Sequence, residues 1–266
     1  MIPALSCAGD VPCSISLISF SVYLSLADHS ESWLVLWAGS SVSNAAVERR
    51  KFLKQLAAIK VAQGLKLVFG NKSRQKLGAV AGILAPVLAF TCILLAIASY
   101  PSFSWTNNAL SDLGVVKGFT GPLFNFGLYG SGFLGLISAL FGLFSYLRKT
   151  LVGKAGALTF AAATVALICI GIFNESFSGT HFAFSVAFFV LAPISLFIIT
   201  CAFALSHQKR STFSTLTIGV IAAMPWILLA AFRYASNVAI PETISGLAVS
   251  AWAIAVGYRI LKQTKD

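Results

Sequence analysis

From Leu77 onward the chain repeats one pattern, an apolar run of bilayer length followed by a short polar stretch. The runs cover 77–99, 121–147, 155–173, 182–205, 213–232 and 243–260. About 20 apolar residues in a helix rising 1.5 Å per residue cross a hydrocarbon core roughly 30 Å thick. In lipid every backbone N–H and C=O must be paired within the protein, and a single segment achieves this only as a helix. The pattern therefore predicts an all-α integral membrane protein, a bundle of six transmembrane helices.

Residues 1–70 break the pattern. They are rich in serine up to Ser43, then basic and suited to an amphipathic helix over 49–66. The apolar runs 11–27 and 33–47 are short and interrupted by serines, so neither reads as a span, and no positive n-region precedes them as in a secretory signal. The expected division is a poorly ordered or amphipathic N-terminal extension over 1–70 and a six-span domain over 71–266. The methionines are Met1 and Met224 alone. We take as a hypothesis that the first seventy residues come from an over-extended gene start; mass spectrometry that finds native peptides from before Leu65 removes it.

Composition agrees with lipid as the solvent: 10% of residues are charged and 58% hydrophobic, where a soluble domain carries about a quarter charged. Mean hydropathy is +0.86. The formal charge of +11 invites a nucleic-acid reading, but no binding fingerprint accompanies it and the basic residues lie between the apolar runs. Nucleic acid is not an expected partner; the lipid bilayer is. Lys72, Arg74, Lys76, Arg148, Lys149, Lys154, Lys209, Arg210, Arg259, Lys262 and Lys265 fall on one side of a six-span topology, against Lys117 and Arg233 on the other. This bias places both ends of the bundle in the cytoplasm, N-in and C-in, in a multi-pass protein of the cell membrane. The five cysteines form no C-x-x-C pair, which argues against a disulfide framework and a Cys-type zinc site.

Small residues recur every fourth position in the second run, at Gly127, Ser131, Gly135 and Ala139. Such a ridge lets helix backbones approach closely in lipid, and serves as a seam within the bundle or toward a second copy in a homo-oligomer. Pro86, Pro193 and Pro225 lie inside the first, fourth and fifth runs, where each removes a helical hydrogen bond and favours a kink.

The acidic residues of the six-span region, apart from terminal Asp266, gather on the non-cytoplasmic side as Asp112, Glu175 and Glu242, with His181 beside them. Asp112 belongs to the longest connection, 100–120, which is long enough to fold back over the bundle mouth. Asn107, Asn108, Asn125 and Asn174 stand at similar depth. Three readings follow. The carboxylates are solvated loop ends or helix N-caps, Glu242 meeting the positive end of a dipole; or His181, Asp112 and Glu175 hold a divalent metal; or the mouth is an ion or lipid-headgroup pocket to which Arg233 and Lys117 add cations. A haem shared between helices lacks its second intramembrane histidine, since His207 lies at the opposite end, and no G-x-S-x-G, H-E-x-x-H or P-loop occurs. His181 and Ser185 are one turn apart and able to hydrogen-bond, but no third orienting group is evident for a nucleophile.

The segments SFSWTNNALSDLG, GPLFNFGLYGSG, GIFNESFSGTH and AIPETISGLAVSAWAIAVGYRIL resemble the six-span membrane family known as domain of unknown function 998, over about 77–261. The matching positions are 110–114, Phe124 and Asn125, Glu175 and His181, and Pro241 and Glu242. Asn174 departs from the resemblance, which implies Pro or another small residue before the acid. More distantly the chain is similar to the six-span family of the damage-regulated autophagy modulator, with its Ser-Asp-x-Gly loop after the first helix. Neither resemblance implies a reaction. The expected function is binding of a cation or polar lipid headgroup at the outer mouth by Asp112, Asn125, Glu175, His181 and Glu242, with Ser111, Asn108 and Arg233 in support, for transport or membrane regulation. The rival classes are an intramembrane metal-assisted lipid hydrolase and a purely structural or interaction protein.

Overall fold

A computed structural model describes residues 71–265, and the expectations for 1–70 lie outside them. The described residues form helices and connecting turns with no strand. Six helices are long and apolar enough to cross a membrane. They are α1 (Asn71–Ala98), α2 (Thr120–Tyr146), α3 (Leu151–Ile172), α4 (Ser178–Leu205), α5 (Lys209–Phe232) and α6 (Ala239–Lys265). Short 3-10 turns at Ser111–Val115 and Glu175–Phe177 precede α2 and α4.

Each helix matches an apolar run, but five of them start about one turn or more before it. Hydropathy marks the part that meets hydrocarbon, whereas the backbone ladder continues into the polar boundary while its hydrogen bonds can be made. Lys72, Arg74 and Lys76 thus lie within the start of α1, and Lys209 and Arg210 in the first turn of α5. Cations at a helix N-terminus oppose the helix dipole by about 0.3–1 kcal/mol each, so their placement serves something other than helix stability. Thr150 caps α3 by accepting a hydrogen bond from Gly153 N–H at 3.0 Å. Pro86, Pro193 and Pro225 lie inside α1, α4 and α5 as expected, and each helix continues through its proline.

Consecutive helices are neighbours and α1 also packs on α6, so the six close into a ring. Within α2, Ser138–Leu143 widens into a π-helical turn beside α1. There Gly78 and Gly142 bring two backbones together; a Cβ on Gly78 would strike the Gly142 backbone. The small-residue ridge is used in this way. Gly127 faces Cys92 of α1, Gly135 faces Thr164 of α3, and Ser131 and Ala139 are buried. Of the two uses expected for the ridge, the seam within the bundle is the one observed.

The α1–α2, α3–α4 and α5–α6 connections share one end of the ring, here termed the acidic end, and the α2–α3 and α4–α5 turns share the basic end. Toward the basic end Leu196, Ile199, Phe203, Trp252, Val256 and Ile260 fill the interior. Toward the acidic end a second cluster, with Ile93, Phe124, Leu128 and Ile170, takes in Leu110 and Leu113 of the α1–α2 connection. The long loop therefore folds back into the bundle, as its length suggested. Between α5 and α6, Trp252 Nε1 donates to Thr215 Oγ1 at 3.1 Å and Trp226 Nε1 to Ser245 Oγ at 2.9 Å. Interhelical hydrogen bonds of this kind do in lipid part of what apolar burial does in water.

Candidate functional site

The acidic end is organised around the α1–α2 loop. Asn108 is its knot: its Oδ1 accepts from Ser104 N–H at 2.9 Å, its Nδ2 donates to Asp112 Oδ2 at 2.7 Å, and its carbonyl accepts from Ala239 N–H at 3.1 Å. Ala109 N–H also donates to Asp112 Oδ2, at 3.0 Å. Asp112 thereby shapes the turn that carries Leu110 and Leu113 inward. Leu110 N–H, buried by this fold, donates to Glu242 Oε2 at 2.6 Å from the first turn of α6. Ser111 Oγ donates to Glu175 Oε1 at 2.6 Å. Each of the three carboxyl groups thus uses one oxygen to tie the loop down.

Asn125 and Asn174 serve the same loop from the other side. Their Nδ2 groups donate to Gly114 O at 2.9 and 3.4 Å. Asn174 also caps the turn before α4, its Oδ1 accepting from Ser176 N–H at 3.1 Å. The position that departs from the family resemblance thus ties the α3–α4 turn to the α1–α2 loop.

What remains is a cavity of about 560 Å³ walled by Ser111, Asp112, Glu175, His181 and Glu242, with Trp226 of α5 and Asn237 and Val238 of the α5–α6 loop. Asp112 and Glu175 are close enough for their side chains to hydrogen-bond, and both act electrostatically on Glu242. Among the described residues no Lys or Arg is in the wall. Lys117 and Arg233, expected as cations of the same mouth, are exposed and outside it, Arg233 in a left-handed turn (φ 46°) at the end of α5. Asn125 supports the wall without being part of it.

His181 is 7% exposed. Its Nδ1 lies 2.8 Å from Phe173 O. A carbonyl oxygen only accepts, so Nδ1 carries the hydrogen, and in the neutral ring Nε2 presents a lone pair. Nε2 is buried and has no hydrogen-bond partner among the described residues. The hydrogen bond that their spacing allows between His181 and Ser185 is not made. A buried, unpaired polar atom costs free energy, roughly 1–3 kcal/mol, and calls for an explanation. No group of three or more His, Cys, Asp or Glu among the described residues is drawn together tightly enough to hold a metal ion as it stands.

Apart from Ser185, the sequence reading missed the α4 wall, Ser178, Phe182, Val186, Phe189 and Val190. Its signal was present: these residues recur every three or four positions around His181 and so share its helix face. Phe182, Val186 and Val190 are also 69%, 45% and 49% exposed, so the face that walls the cavity continues onto the lipid-facing surface of α4.

The model of the family described as "Protein of unknown function (DUF998)" matches residues 83–259, and the chain belongs to that family. No curated protein matches the chain, and no solved structure does.

Proposed function

We propose that the cavity at the acidic end binds a small cation or the polar headgroup of a lipid, and that this multi-pass membrane protein serves transport or membrane regulation through it. The observation that carries the reading is a cavity wall with three carboxyl groups and, among the described residues, no Lys or Arg to neutralise them. Carboxylates at membrane depth are costly unless they meet partners or water, and neighbouring carboxylates add mutual repulsion that a cation relieves. Phe189 and Trp226, with ring centroids 4.7 Å apart, add aromatic surface on which a cation is also favoured. In this reading the acidic end faces away from the cytoplasm of the cell membrane, because the basic residues crowd the other end.

The test is equilibrium titration of the purified full chain in nanodiscs with Na⁺, Mg²⁺, Zn²⁺ and ethanolamine. At least one is expected to bind, about tenfold more weakly in Asp112→Asn and His181→Ala. Metal that co-purifies stoichiometrically and is lost in both variants identifies an ion as the ligand. Failure of all four probes removes the reading. Flux into proteoliposomes separates transport from regulation, and flux unchanged in Glu242→Gln counts against a transport role for the cavity. Orientation has its own test: Asp112→Cys should react with an impermeant maleimide on intact cells, and reaction only after permeabilisation reverses the topology.

A further inference from the structure

A second cavity, of about 130 Å³, lies inside the ring and meets the acidic one. The two share Ser111, Ser185, Phe189 and Glu242 as wall residues. From this junction the inner cavity runs toward the basic end between α1, from Gly82 to Ile93, and α6, from Glu242 to Ala253. That stretch of helix is roughly 16 Å long at 1.5 Å per residue. Its walls are largely apolar, with Pro86, Phe90, Leu128, Phe160 and Val249 among them. For scale, a compact cavity of about 150 Å³ accepts one benzene ring. A similar volume drawn out along three turns of helix leaves width for one alkyl chain, and for neither a ring system nor paired acyl chains.

We infer that the acidic cavity and the inner cavity together bind a single-chain amphiphile with a primary ammonium head, the head at His181, Glu175 and Glu242 and the tail in the inner cavity. This rests on the cation-or-headgroup reading above and specifies its ligand. The head is a cation because the wall carries carboxyl groups and, among the described residues, no Lys or Arg. It also brings N–H donors, because each carboxyl group commits one oxygen to the loop and leaves the other to accept, and a quaternary ammonium has no N–H to offer. The tail must be single because the inner cavity is narrow. Entry is from the bilayer, past the exposed Phe182, Val186 and Val190 that continue the cavity wall onto the lipid face of α4.

The experiment is calorimetric titration of the full chain, held in amphipol so that the ligand starts in water. The ligands are the n-alkylammonium ions from ethyl to decyl, their N,N,N-trimethyl counterparts and alkyl carboxylates of equal length. Affinity should rise about fourfold per methylene until the cavity is full. Trimethyl heads should bind at least about tenfold more weakly, and carboxylates not at all. In Gly246→Leu the dependence on chain length should flatten while ethylammonium binds as before. A Cβ at Gly246 meets only Phe90, at 3.4 Å, and the added side chain fills the inner cavity. Ser250→Leu on the same wall gives the second variant should the first not fold. His181→Phe should weaken every alkylammonium by a similar factor whatever its length. Ethylammonium binding with no gain from longer chains overturns the amphiphile and leaves the headgroup reading standing. Trimethyl heads that match primary ones overturn the donor argument and with it the proposal. If no ammonium ion binds at any length while a metal ion does, the inference falls and the cation reading survives; if nothing binds, both fall.

Discussion

The two ends of this bundle are built from the same six helices and differ in what fills the space between them. At the basic end the interior is closed by large apolar side chains, with Leu196, Ile199 and Phe203 at 0% exposure, and by helix crossings as close as Gly78 on Gly142. At the acidic end the helices stand around a folded loop, two cavities and a set of hydrogen-bonded carboxyl groups. A bundle in lipid gains little from hiding apolar surface, because the lipid is as apolar as the core, so it holds together through packing and polar contacts. The basic end uses mostly the first and the acidic end the second, and the unfilled volume follows the polar contacts.

The sharpest way to break this comparison is to remove a large side chain from each end. Phe203→Ala should cost about 3 kcal/mol, since the helices around it cannot collapse into the space, whereas Phe189→Ala, whose side chain already borders both cavities, should cost less than about 1 kcal/mol. Denaturant titration of both variants in mixed micelles measures the difference, and equal losses would mean the acidic end is as tightly packed as the basic one. Next comes Glu242→Ala, which strands the buried Leu110 N–H and should cost about 2 kcal/mol. Glu242→Gln retains an acceptor oxygen and should keep most of that stability while weakening cation binding. Hydrogen exchange at Leu110 distinguishes the two variants directly, with loss of protection expected in the alanine variant alone. His181→Phe should change stability by no more than about 1 kcal/mol, since it gives up one hydrogen bond to Phe173 O and also removes the unpaired Nε2. Arg233→Ala should do least, within about 0.5 kcal/mol and with no effect on cation binding, because Arg233 is exposed and outside the cavity wall.

The residues proposed for the site divide along the same line. Asp112, Glu175, His181 and Glu242 were legible as a group because a six-span topology puts their loops at one end, and charge at such a place is rare enough to notice. Asn108 and Asn125 were legible as polar groups at that depth, but their task is to hold the loop, which depends on the Gly114 carbonyl and the Asp112 carboxylate coming within reach. Arg233 was drawn in by its position in the chain and excluded by the direction in which α5 ends. Trp226 went unnoticed because an aromatic residue in an apolar run carries no mark of facing a cavity.

By itself the sequence determined that residues 71–265 carry six helices long and apolar enough to cross a membrane, with their acidic residues at one end and most of their basic residues at the other, because bilayer thickness and the cost of exposed backbone leave a long apolar run almost no other choice. It also determined that the second helix packs closely, since small residues every fourth position make a seam wherever a partner lies. Tertiary structure alone decided that the partners are α1 and α3, that the α1–α2 loop turns inward, and that His181 keeps one buried nitrogen without a partner. These depend on distances between residues far apart in the chain: Leu110 and Glu242 meet at 2.6 Å across 132 positions. Hydropathy measures how a segment meets its solvent and carries no information about which segment it meets next.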